Sequence, residues 1–277
     1  MLVGHLRVLH ARPRSGSRQR QTHRRLLAAT MSTQGPRRTV ICTDTLEWLQ
    51  QQASLPCVIT SLPDISELQE QAALGVKDAV LYRQFLVDTT ALIVGKLRPG
   101  CVAIFCQTSV LFKGEFIDKA AACTTGALSV GAPQIWHKVM LRADVNTLRP
   151  GKLPGWSSLV AYASPADVKD SQLIQSGPDF PDVFQRGDMA WPKAMGVDAA
   201  VQACKFVRGR GASEVYDPFC GSGTILAAAN YVGMAATGID LSPKRARHAN
   251  VMEIVKVDGA LKAIRSTDLN FPGKDDS

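Results

Sequence analysis

The segment VYDPFCGSGTILAAANYVGMAATGID, residues 215–240, carries the most specific chemistry in the chain. An apolar run leads into a glycine-rich turn, then a helix-forming stretch, then a second apolar run ending on an acid. Gly221 and Gly223 omit side chains where a ligand must reach the backbone, and a helix opening just after them offers free N–H groups. Asp240 lies 23 residues beyond Asp217, a separation at which a carboxylate takes two ribose hydroxyls. A dinucleotide would use the same layout, but Leu226 stands where its fingerprint wants a third glycine. Asp217, ahead of the glycines, would repel a pyrophosphate and attract an ammonium. S-adenosylmethionine combines an ammonium, a ribose and no phosphate, and so suits both acids. The plainer alternative is that the glycines only close a tight turn.

The run Asp217-Pro218-Phe219-Cys220-Gly221-Ser222-Gly223-Thr224 closely resembles the cofactor-binding motif of the DNA and RNA amino-methyltransferases. Those enzymes pair it with a catalytic Asp/Asn/Ser-Pro-Pro-aromatic motif at the end of another strand. Ser61-Leu62-Pro63-Asp64 occupies such a strand end, ahead of the cofactor motif in the chain. That order resembles the circularly permuted, β-type arrangement. Ile41-Cys42-Thr43-Asp44 resembles the strand whose terminal acid, here Asp44, lies near the adenosine. Trp191-Pro192-Lys193 and the stretch after it resemble the lead-in to the cofactor motif. The resemblance implies a Rossmann-like, doubly wound, mostly parallel α/β sheet of the class I methyltransferases. It also implies S-adenosyl-L-methionine as cofactor, a nucleic-acid substrate, and no metal.

An exocyclic base amine is a poor nucleophile because its lone pair is delocalised into the ring. Hydrogen bonds from its N–H groups to a side-chain oxygen and a backbone carbonyl hold it in line for transfer. Ser61 Oγ and the carbonyl of Leu62 or Pro63 are the candidate acceptors, with Pro63 stiffening the loop. Leu62 replaces the family's first proline, and Asp64 replaces the aromatic that stacks on a flipped base. Asp64 has two readings. Its carboxylate can take a proton from the substrate, or, with Glu67 three residues on, it forms a capping box opening a helix at Ile65.

The elements that must place these residues alternate in type, which points to an α/β sheet. Strands are expected at Val40–Cys42, Cys57–Thr60, Cys101–Cys106, Ile135–Arg142, Ser158–Ala163, Glu214–Tyr216 and Ala235–Ile239. Cys101–Cys106 is apolar throughout and reads as a buried central strand. Asp44 or Thr45 caps a helix carrying Leu46, Trp48 and Leu49. Further helices are expected at Asp88–Leu97, Asp198–Val207, Thr224–Tyr231 and from Ser242-Pro243 towards Val255. The polar stretch from Ser164 to Trp191 reads as a long loop. Trp136 reads as core and His137 as isolated. Lys244, Arg245, Arg247 and His248 read as a solvated charged face.

Composition bounds the rest. The chain has 277 residues, 45% hydrophobic and 20% charged, with seven scattered cysteines and no Cys-x-x-Cys pair. Structural zinc and a disulfide framework are disfavoured, and no run reaches the ~18 apolar residues of a membrane span. The net charge of +8 resides in the first 43 residues, which hold nine arginines and no acid. The remainder has 23 bases against 24 acids, so global charge does not argue for a polyanion partner. Residues 1–38 read as an Arg-rich leader, 39–265 as the methyltransferase domain and 266–277 as a tail. The leader resembles an organelle transit peptide; the alternative is an upstream extension with translation starting at Met31, giving a cytoplasmic or nuclear protein. Three functions stay open: methylation of a base amine, methylation of a small molecule or protein, and cofactor binding without catalysis. For the first, RNA is preferred over DNA because no segment resembles a helix-turn-helix or a large recognition insert.

Overall fold

The computed structural model describes residues 36–69, 76–144, 146, 154–167, 180–191 and 194–265. Most of the expected leader, the tail, Pro192, Lys193 and residues 168–179 of the expected loop lie outside the described residues.

The chain enters through β1 (Arg38–Cys42), so Arg38 already belongs to the sheet, and passes to α1 (Thr45–Gln51). Asp44 caps α1, its Oδ1 accepting from the N–H groups of Leu46 and Glu47 at 2.8 and 3.0 Å. β2 (Cys57–Thr60) and the short α2 (Ile65–Gln69) follow. α3 (Ala79–Gly95) starts well ahead of the expected Asp88, because the capping acid is Asp78, whose side chain accepts from Leu81 N–H. Then come β3 (Val102–Gln107), a small hairpin of β4 (Val110–Phe112) and β5 (Glu115–Ile117), and α4 (Lys119–Ser129). β6 (Gln134–Leu141) and β7 (Trp156–Ala163) precede β8 (Val183–Gln185), a short strand inside what reads as loop. α5 (Val197–Gly209), β9 (Glu214–Asp217), α6 (Thr224–Tyr231) and β10 (Ala235–Asp240) complete the cofactor-motif region. α7 (Pro243–Val251) stops short of Val255. An antiparallel hairpin of β11 (Met252–Val257) and β12 (Ala260–Arg265) replaces the expected last turn. The β-branched residues Ile254, Val255 and Val257 and the Asp258-Gly259 turn explain that switch.

Eight strands form one sheet in the order β1-β10-β9-β2-β3-β7-β6-β8. The run from β1 to β3 is parallel, and β7 is antiparallel to both of its neighbours. The first strand of the chain lies beside β10, and β9, which carries the glycine motif, lies beside β2, which carries loop 61–64. This is a doubly wound, mostly parallel sheet in permuted chain order. Alternate residues feed two cores, one on each face. Cys57, Ile59, Val102 and Ile104 pack against α5 and α6, while Val58, Ala103 and Phe105 pack with residues of α3 and α4. Strands buried on both faces lose the period-2 pattern, as the apolar run of β3 shows. Each fully buried Val, Ile or Phe contributes roughly 1.5–3 kcal/mol, enough to fix where the strand ends lie.

Candidate active site

Parallel strands end together, and the loops leaving β1, β10, β9, β2 and β3 share one edge of the sheet, where doubly wound folds bind ligands. A cleft of about 270 Å³ opens there. Ser61, Leu62, Pro63 and Asp64 line it together with Asp217, Phe219, Gly221, Thr224, Asp240 and Asp44. Segments more than 150 positions apart thus face one cavity. Thr60 Oγ1 joins them directly by donating to Asp217 Oδ1 at 2.7 Å.

Asp217 is 3% exposed and also accepts from Phe219 N–H at 3.2 Å. Burial pushes its carboxyl up to about 7, against the pull of these two donors. Asp240 is raised by burial too, while the N–H groups of Ser242 and Gly221 and the charge of Arg245 oppose the rise. Its two oxygens each accept one of those N–H groups, Ser242 at 2.7 Å and Gly221 at 3.1 Å. Asp44 is spent on its helix cap yet still borders the cleft.

The two motif glycines separate. Gly221 has φ +53°, and a Cβ there would lie 3.5 Å from the Trp191 ring, at the cleft wall. Gly223 has φ +90°, and its Cβ would fall 2.7 Å from Ala249 Cα, so its lack of a side chain serves the contact between α6 and α7. Pro218 likewise does not line the cleft; its carbonyl accepts from Thr45 Oγ1 at 2.6 Å. The close helix–strand contact that a third glycine would give is supplied from the other side. Gly238 in β10 makes room for Leu226 and Cys220, either of which its Cβ would meet within 3 Å.

Loop 61–64 is held by side chains that carry no motif of their own. Lys119, 2% exposed at the start of α4, donates to Leu62 O and to Asp64 Oδ1, both at 2.9 Å. Tyr82 of α3 donates its hydroxyl to Pro63 O at 2.9 Å. Both carbonyls expected to receive the substrate amine are therefore already engaged. Ser61 is the exposed polar side chain of the loop. Glu67 Oε2 accepts from Asp64 N–H at 3.0 Å, which is the Glu half of the capping box. The other half is missing: the Asp64 carboxylate pairs with Lys119. Arg245, expected on a solvated face, turns into the cleft, whereas Lys244 and Arg247 are exposed. Trp136 packs edge-on against Phe180 and Phe206, and His137 contacts Ser158 Oγ at 2.8 Å.

Solved structures share this architecture. TTHA0409 of Thermus thermophilus, provisionally assigned as a DNA modification methylase and solved with S-adenosyl-L-methionine, superposes with a TM-score of 0.54 at 19% identity. The match covers 77% of this chain and 92% of that one. The cytosine-N4-specific PvuII DNA methyltransferase gives a TM-score of 0.58 at 13% identity, over 78% of this chain and 88% of that one. No protein-family model matches the chain, and no curated protein matches its sequence. The fold is the one these methyltransferases share. The residues fit a cationic cofactor bearing a ribose: a buried carboxylate poised near pH 7 borders the cleft, beside a bare Gly221 and a second buried acid.

Proposed function

We propose that this protein is an S-adenosylmethionine-dependent methyltransferase acting on an exocyclic amine of a nucleic-acid base. The observation that carries the reading is the convergence of Asp217, Asp240 and Ser61 on one cleft. S-adenosylmethionine would supply an electrophilic methyl group. Asp217 offers its ammonium a buried counter-charge, since a cation nearby restores the ionised carboxylate. Asp240, oriented by the N–H groups of Gly221 and Ser242, keeps lone pairs for ribose hydroxyls. Asp44 borders the adenosine end in the same reading.

On the substrate side, Ser61 Oγ accepts one N–H of the amine and aligns its nitrogen. Leu62 O and Pro63 O, already bonded to Lys119 and Tyr82, are rigid but weaker acceptors. Asp64 is the one ionisable group of loop 61–64 and takes the proton that the methylated amine must lose. Its pairing with Lys119 fixes where it points.

The names of the fold neighbours favour DNA, while the sequence expectation favours RNA because no recognition insert is visible. A small-molecule substrate is the second reading, favoured by the carboxylate at position 64 in place of a stacking aromatic. Mass spectrometry of modified nucleosides from DNA and RNA of cells with and without the protein decides among them. Loss of one methylated base in one polymer supports the proposal; unchanged nucleosides in both refute it.

A further inference from the structure

An ion pair crosses the cleft from one half of the site to the other. Arg245 Nη2 of α7 lies 3.1 Å from Glu67 Oε1 of α2. α7 follows β10 and α2 follows β2, and β9 stands between those two strands in the sheet. The pair therefore spans the end of β9, where the Asp217–Gly221 loop sits. On the cofactor side, the Arg245 guanidinium lies 5.5 Å from the centre of the Trp191 ring, which in turn borders Gly221. On the substrate side, the second oxygen of Glu67 holds Asp64 N–H at 3.0 Å. Both Glu67 and Arg245 line the cleft.

One carboxylate thus grips the backbone of loop 61–64 with one oxygen and the cofactor half with the other. The Glu67 side chain is 18% exposed and that of Arg245 38%, so the carboxylate end of the pair is shielded while the guanidinium keeps contact with solvent. Glu67 would be needed for a helix cap alone, but a cap does not require Arg245. Nor does α7 need the Arg245 side chain for its own start, which Ser242 caps by accepting from Arg245 N–H.

We propose that Glu67 and Arg245 are positioning residues that bridge the cofactor pocket and transmit its occupancy to loop 61–64. The inference rests on the cofactor reading above. A ligand lying on the glycine loop sits beneath the bridge and braces Arg245 against Trp191. Arg245 then holds Glu67, and Glu67 fixes the Asp64 peptide so that Ser61 faces the reacting centre. Occupancy of one half thereby organises the other, a coupling that is reciprocal between the two halves.

Amide hydrogen exchange with S-adenosylhomocysteine as the probe tests this without knowing the methyl acceptor. Binding of the probe is first measured by calorimetry for the parent, Glu67→Gln and Arg245→Gln. Glutamine at 67 can still accept from Asp64 N–H, so the cap survives while the ion pair is lost. At saturating probe, exchange in residues 217–224 should slow in all three proteins. Exchange in residues 61–69 should slow in the parent by roughly fivefold or more, the lower end of coupling between sites, and by less than about twofold in either variant. Equal protection of 61–69 in parent and variants would overturn the bridge and leave the cofactor reading intact. A parent that binds no probe would overturn both. If one variant melts far below the parent, the other carries the same comparison.

Discussion

Thr60 and Asp217 meet across 2.7 Å, the last residue of β2 donating to the last residue of β9. The bond ties the strand bearing loop 61–64 to the strand bearing the glycine motif. Burial, which this bond opposes, makes Asp217 a charge-sensitive point. Without a neighbouring cation its carboxyl titrates at about 7 because it is buried. Affinity for S-adenosylmethionine should therefore fall about tenfold per pH unit below about 7, since the cation binds the ionised form. Calorimetry between about pH 5.5 and 7.5 checks this, and Asp217→Asn should give weak, flat binding. A flat profile in the parent would contradict the role.

The same shift has a stability consequence of definite sign. The folded carboxyl lies above its unfolded value of 3.8, so the folded state holds more protons between those values. Stability is fully present below about pH 4 from this group and declines as pH rises towards about 7. Thermal melts of the parent should show that decline relative to Asp217→Asn, and S-adenosylhomocysteine should reverse it.

Asp64 and Lys119 distinguish a cap from an ion pair. Asparagine caps a helix about as well as aspartate, so a cap alone would leave Asp64→Asn as stable as the parent. Because the carboxylate faces a buried ammonium instead, the substitution strands a charge. Removing one partner of a fully buried pair costs roughly 3–5 kcal/mol. Asp64 is 32% exposed, so solvent screening reduces the expected loss to about 1–3 kcal/mol. Denaturant melts should show Asp64→Asn/Lys119→Met recovering part of that loss.

The two motif glycines should fail in different ways. Alanine at 223 meets Ala249 backbone at 2.7 Å and must part α6 from α7, with an expected loss of about 2–4 kcal/mol from overpacking and left-handed strain. Alanine at 221 meets nothing closer than 3.5 Å and should cost about 1 kcal/mol, while blocking the ligand's approach. Melts and cofactor titrations of both variants separate the effects. Equal affinity for Gly221→Ala and the parent would remove Gly221 from the site.

Local chemistry made some of this readable in the sequence. Cys57–Thr60 and Thr224–Tyr231 form the expected elements with the expected ends, because Pro56 and the Ser61–Pro63 turn bracket the first and Gly223 and Gly233 the second. The juxtaposition of 61–64 with 217–223 is expected from both motifs closing parallel strands; Asp217, Phe219, Cys220 and Gly221 share the cleft with loop 61–64, whereas Gly223 packs against Ala249. α3 was undercut because Ala79–Gly95 is apolar around much of its girth and shows no narrow stripe. α4 was silent because its small residues pack close to α3, with a Cβ at Gly126 falling 2.3 Å from Val87 O. Lys119 and Tyr82 had no local signal, and that of Arg245, a basic run, pointed to a solvated face. Each acts on loop 61–64 or on Glu67 only once the sheet has brought distant segments together. The cap reading of Asp64, one of the two the sequence leaves open, arises because spacing shows the Glu67 half of the box and conceals the lysine that claims the other half.

The central claim is that the segment from Asp217 to Asp240 binds S-adenosylmethionine, and isothermal titration of the parent and Asp240→Ala tests it most directly. The parent should bind with one site per chain, and a nicotinamide dinucleotide should not compete. Asp240→Ala should bind about 10- to 150-fold more weakly, the loss of a charge-assisted bond contributing roughly 1.5–3 kcal/mol. Undetectable binding by a folded parent, or equal affinity in Asp240→Ala, would contradict the account.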